Sequence, residues 1–99
     1  MIVVITDEAE ADLEHIGNVI AEDNPRRSSS FVRELVQRCE KLMDMPRRFA
    51  LVPRYEHTNI RRLVHGEYLI FYRVDPEAVY VLRIINGAMD YERILFPDD

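Results

Sequence analysis

Apolar positions along the chain change their period twice. The opening run, MIVVIT, is rich in β-branched residues and predicts a strand. Ala9, Leu13, Ile16 and Ile20 then recur at steps of four, three and four, one apolar stripe against a polar back, which predicts a helix from Asp7 to Glu22. Asp7 is the expected cap, with Glu10 as its reciprocal partner, and acids fill the first turn where the helix dipole favours them. Asn24-Pro25 supplies a capping side chain and a proline at the first helical position, so a second helix starts at once. Its stripe is Phe31, Val32, Leu35, Cys39, Leu42 and Met43, and Pro46 ends it. Together the two segments predict an antiparallel helical hairpin.

From Phe49 the pattern becomes extended. A short strand is expected around Ala50–Val52, a loop over Pro53–Asn59 and a strand over Ile60–Val64 ending at His65-Gly66. Tyr68–Val74 and Val79–Asn86 flank the turn Asp75-Pro76-Glu77-Ala78 and predict an antiparallel hairpin. If Val74 faces Val79, then Leu69, Phe71 and Arg73 share a face with Tyr80, Leu82 and Ile84. The opposite face takes Ile70, Tyr72, Val74, Val79, Val81, Arg83 and Ile85. Both faces are apolar, and one helical hairpin covers only one of them, so the other is an expected partner surface. The fold class that results is α+β, an N-terminal strand and an antiparallel helical hairpin packed on a mostly antiparallel sheet of about four strands.

The 99 residues predict one domain spanning 1–99, with no repeat and no linker. There is no apolar run of about 18 residues and no secretory leader pattern, so the expected location is the cytoplasm, with no membrane contact. A net charge of −5 disfavours a protein that grips nucleic acid through bulk electrostatics. The charge is unevenly spread. Residues 7–23 carry seven acids and no lysine or arginine, whereas residues 24–48 carry seven bases against three acids. A basic partner segment suits the first stretch and an acidic one the second; the plainer alternative is a pair of solvated helix faces.

The lone Cys39 lies on an apolar stripe and reads as a buried, inert thiol. His57 and His65 stand apart from any second ligand, so no metal is expected, and three glycines build no phosphate-cradling loop, so no cofactor is expected either. Metal-free phosphodiester cleavage needs cations and proton carriers, and Arg61, Arg62, Arg73, Arg83, His57, His65 and Tyr91 are the available groups. The structural alternative leaves Arg61 and Arg62 on the surface, pairs Arg73 with an acid near the hairpin end, and has Tyr91 pack the final segment.

The segments ADLEHIGNVIAEDNPRRSSSFVREL, NIRRLVHGEYLIFYRV and VYVLRIINGAMDYERIL, in this order and spacing, resemble the RelE/ParE superfamily of toxin–antitoxin toxins from Ile2 to Leu95. The resemblance implies a compact toxin neutralised by an antitoxin that wraps it, with DNA reached only through that antitoxin. Members similar to RelE cleave messenger RNA on the ribosome. By the spacing of YLIFYRV and of the residues after Gly87, the positions that carry their catalytic arginines are Leu69 and Met89 here, and neither side chain can donate to a phosphorane.

The ParE-like branch, whose members inhibit DNA gyrase without being enzymes, resembles the chain better through FYRV, VLRIINGAMDY and the Asn-Pro junction, departing from it at Asn86 and Met89. The resemblance therefore implies a non-enzymatic gyrase inhibitor with no catalytic residue. Its alternatives are a metal-independent ribosome-dependent endoribonuclease, with Arg83, Tyr91 and His65 as rearranged catalytic groups, or a weakly toxic or non-toxic member. Candidate target contacts are Arg61, Arg62, Arg83, Asp90 and Tyr91. Candidate antitoxin contacts are Leu13, Ile16, Ile20, Tyr72, Val81 and Arg83. Arg83 is expected on the open sheet face with its carboxylate supplied by a partner, and Arg73 near the turn with its charge in reach of water.

Overall fold

The computed structural model describes residues 1–98. The chain runs β1 (Ile2–Ile5), α1 (Asp7–Ala21), α2 (Pro25–Glu40), β2 (Ile60–His65), β3 (Tyr68–Val74), β4 (Ala78–Asn86) and α3 (Tyr91–Leu95), with single 3-10 turns at Lys41–Met43 and Glu56–Thr58. The sheet has the order β1-β4-β3-β2. β1 lies parallel to β4 and the other pairs are antiparallel, which is the expected α+β layout. Ala50–Val52 forms a single bridge at Leu51 and Arg61 along the outer side of β2.

Asn24 caps α2 as its sequence indicates, its side chain accepting from Arg27 N–H at 3.1 Å with Pro25 behind it. The cap of α1 is Thr6, not Asp7: the Thr6 hydroxyl accepts from Ala9 N–H, and Asp7 is the first helical residue. Thr6 also donates to the carbonyl of Val81 at 2.8 Å, so one hydroxyl joins the helix start to β4. The two helices press Leu13, Ile16, Phe31, Leu35 and Cys39 onto Ile70, Tyr72, Val79 and Val81. Met43 leaves the stripe and is 48% exposed, because the chain tightens into a 3-10 turn after Glu40 and rotates that position outward.

Two features depart from the expected sheet. Val74 faces Val79 and Tyr72 faces Val81 as predicted, but Phe71 faces Arg83, so Leu82 is an extra residue in β4. This β-bulge exchanges the faces beyond it. Ile84 joins Ile70 beneath the helices, while Ile85 joins Leu69 and Phe71 on the other side.

That other side is also not open. Val52, Leu69, Phe71 and Ile85 form a second core, covered by Tyr55, Tyr91, Ile94, Leu95 and Phe96. The Phe96 ring stacks on Tyr55 with centroids 4.0 Å apart. The face of Ile70, Tyr72, Val74, Val79 and Val81, which the sequence reading left open with Arg83, is the one the helices cover, and the C-terminal segment closes the opposite face, so neither side of the sheet is left for a partner.

Candidate functional site

The bulge and the short β1 create the most distinctive polar arrangement in the molecule. β1 ends opposite Val81, so among the described residues β4 runs on with its outer edge bare of strand. Asp12, on the side of α1 that meets this edge, accepts from Ile84 N–H at 2.8 Å. The same carboxylate accepts from Arg83 Nε at 2.8 Å and Nη2 at 2.9 Å. Three donors converge on one carboxylate, and the bond to Asp12 raises the pKa of Arg83 further above the usual guanidinium range. Arg83 therefore finds its carboxylate within the chain, which corrects the expectation that a partner supplies it. Arg73 behaves as expected: it pairs with Asp75 at 3.3 Å near the hairpin turn, lies over Tyr80 and stays 41% exposed.

Beside the Asp12–Arg83 pair lies a groove of about 440 Å³ between α1 and the segment after β4. Its apolar walls include Ile16, Val19, Ile85, Met89 and Ile94, and Val19 and Met89 are 43% and 55% exposed. His15 and Asn86 are among its polar lining. Exposed apolar side chains gathered about a concave edge are the composition of a binding surface rather than of a solvated one.

The remaining candidates distribute as follows. Arg62, Asp90 and Tyr91 form one cluster on the α3 side: Asp90 caps α3, and Arg62 Nη1 reaches the Tyr91 hydroxyl at 2.5 Å with its guanidinium over the ring. Arg61 is engaged at the other side of β2, donating to the carbonyls of Phe49 at 2.7 Å and Arg47 at 3.3 Å. His65 sits against α2, its ring between Arg38 at 3.2 Å and Glu34 at 3.3 Å. His57 is exposed on the loop before β2. Hence His65, Tyr91 and Arg83 occupy three neighbourhoods, at the end of β2 against α2, on the α3 side and at the β4 edge. They do not converge on a reacting atom.

Of the antitoxin candidates, Leu13, Ile16, Tyr72 and Val81 are at most 7% exposed and belong to the core between helices and sheet. Leu13, Tyr72 and Val81 are out of a partner's reach while that core is intact. Their burial was not legible in the sequence, because a stripe on one helix gives no information about what covers it. Ile20 is only partly buried, and Ile16, though 3% exposed, also lines the groove. Asp12, Val19 and Met89 were not singled out as binding positions. Asp12 had a usable signal: it lies one residue before Leu13 on the edge of the α1 stripe, where a carboxylate meets whatever the stripe packs against.

Comparison with known proteins gives this geometry a family. The sequence matches the family model for the ParE toxin of type II toxin–antitoxin systems over residues 3–91. The chain belongs to the ParE toxin family. It is thus a toxin of the type II toxin–antitoxin class in the ParE/RelE superfamily. Among solved structures the ParE fold recurs in the chromosomal ParDE toxin–antitoxin system of P. aeruginosa, with a TM-score of 0.76 and 24% identity, covering 87% of this chain and 95% of that one. It recurs also in the RelBE2 toxin–antitoxin complex of Mycobacterium tuberculosis, with a TM-score of 0.62 and 25% identity, covering 86% and 95%. No curated protein sequence matches the chain. In this ParE-family chain Leu69 is 8% exposed within the second core, and Met89 lies on the groove wall.

Proposed function

We propose that this toxin acts by holding DNA gyrase rather than by cutting RNA, and that a cognate antitoxin keeps it inactive by occupying its surface. The observation that carries the reading is the fate of the two positions that resemble the ribonuclease arginines. Leu69 is enclosed by Val52, Phe71 and Ile85 under the C-terminal segment, and Met89 is uncharged. Loss of a single preorganised donor to a developing oxyanion costs on the order of a hundredfold in rate, and two such positions are empty of charge. The scatter of His65, Tyr91 and Arg83 supports the same conclusion, since acid, base and charge stabiliser must meet around one phosphate.

Both solved relatives are toxin–antitoxin systems, which supports an antitoxin partner. The net charge of −5 favours a protein target over a polyanion, with DNA reached through the antitoxin alone. In this reading residues 1–99 act as one domain in the cytoplasm, where gyrase is. The test is unopposed expression with two readouts, plasmid topology and transcript ends. Loss of negative supercoiling with intact messages is expected; codon-phased cuts in translated messages with normal topology reverse the reading.

A further inference from the structure

We propose that the outer edge of β4 at Ile84–Asn86 accepts an extended segment of the antitoxin as an added parallel strand, one that carries apolar side chains and a lysine or arginine; the inference rests on the antitoxin reading above. Gly87 N–H bonds the carbonyl of Glu67, and the register pairs Ile85 with Leu69 and Arg83 with Phe71. Stepping by two, Arg83 and Ile85 turn their main-chain groups inward to β3, and Ile84 and Asn86 turn theirs outward. The bond from Ile84 N–H to Asp12 fixes that direction.

Two of the four outward groups are already engaged. Ile84 N–H is held by Asp12, and the Asn86 carbonyl accepts from Met89 N–H at 3.0 Å. The Ile84 carbonyl and the Asn86 N–H remain, and no strand among the described residues pairs with them. An acceptor on one residue and a donor two residues on is the pattern that a parallel neighbour satisfies with a single residue, donating to the first and accepting from the second. An antiparallel neighbour needs both groups of one residue, and on Ile84 one of them is taken. The added strand thus continues the parallel pairing that β1 begins at Ala78–Val81.

Its side chains have a place to go. The groove beside the edge offers Ile16 and Val19 on one wall and Met89 and Ile94 on the other. The charge of the segment follows from α1. Arg83 already faces Asp12 and feels Glu8, whereas residues 7–23 hold seven acids with no lysine or arginine among them. A further carboxylate is repelled here and a cation is drawn in.

The test uses the full chain and the purified product of the reading frame that adjoins its own. Asn86→Pro removes the outward N–H together with the side-chain bond that Asn86 Oδ1 accepts from Ala88 N–H at 2.9 Å, and Val19→Glu disturbs the groove wall. With the circular dichroism of the parent retained, each weakens the complex about tenfold, the worth of one interfacial hydrogen bond or apolar contact. Glu22→Lys weakens it and reduces its salt dependence, while Val64→Glu, exposed on β2, changes nothing. If the parent forms the complex and Asn86→Pro and Val19→Glu bind within twofold of it, the strand site is wrong and the antitoxin reading stands. If the parent forms no complex, the antitoxin reading fails and the strand site falls with it.

Discussion

Asp12 and Arg83 lie 71 positions apart in sequence and meet in a two-pronged pair at 2.8 and 2.9 Å, which ties α1 to the last strand just where β1 stops. The side chains are 14% and 32% exposed, so the pair is desolvated enough to matter. Asp12→Asn keeps the shape, removes the charge, and should lower stability by about 2 kcal/mol, read from the urea midpoint. In a double-mutant cycle with Arg83→Met the second change should cost much less than alone, with a coupling of about 1–2 kcal/mol. Because the pKa of Arg83 is raised, this contribution is full below the unfolded guanidinium pKa and flat through the neutral range.

Cys39 is fully buried in the main core, and burial pushes its thiol up to about 12. The native thiol should resist alkylation at pH 8 and react at once in denaturant. The sign of the linkage follows from the raised value. Stability is unaffected below the unfolded thiol pKa of about 8.5 and declines as pH rises from there toward about 12, because the unfolded chain releases its proton first.

Gly66 turns β2 into β3 at a φ of +59°, with the Phe31 ring 3.5 Å from where a Cβ would stand. Gly66→Ala should cost about 1 kcal/mol in stability, and Gly66→Asn less, since asparagine tolerates this conformation. Thermal melts of the two variants rank them.

Leu69→Arg, which returns the cation that a ribonuclease resembles at this position, should not create cleavage. It should destabilise the fold by about 3 kcal/mol, because the side chain enters a core whose Val52 and Phe71 are 0% exposed. Denaturant unfolding and a translating-ribosome assay on the same preparation check both halves.

Much of the fold was legible because its signals are local. The α1 stripe, the Asn24-Pro25 junction and the Asp75–Ala78 turn each fix their element within a few residues, and the register next to that turn came out as expected. What failed was non-local. The bulge at Leu82 leaves no mark in a strand that is apolar on both faces, so the positions of Ile84 and Ile85 were exchanged. Helix α3 is five residues long, too short for a periodic stripe, and its role as a cover for Leu69 and Phe71 depends on the sheet it meets. The Thr6 cap was passed over because Asp7 beside it is an equally good capping residue in isolation. For the site, charge patterning found the acidic helix and the arginine set within the apolar strand, but not that one satisfies the other.

The central claim, a toxin that binds gyrase and does no chemistry, is tested most directly by titrating the purified chain into a gyrase supercoiling reaction on relaxed plasmid. The account predicts inhibition that rises with toxin concentration, saturates at a fixed stoichiometry and is reversed by the antitoxin. Undiminished supercoiling at a large molar excess of a folded chain, together with discrete nicks in message on programmed ribosomes, contradicts it.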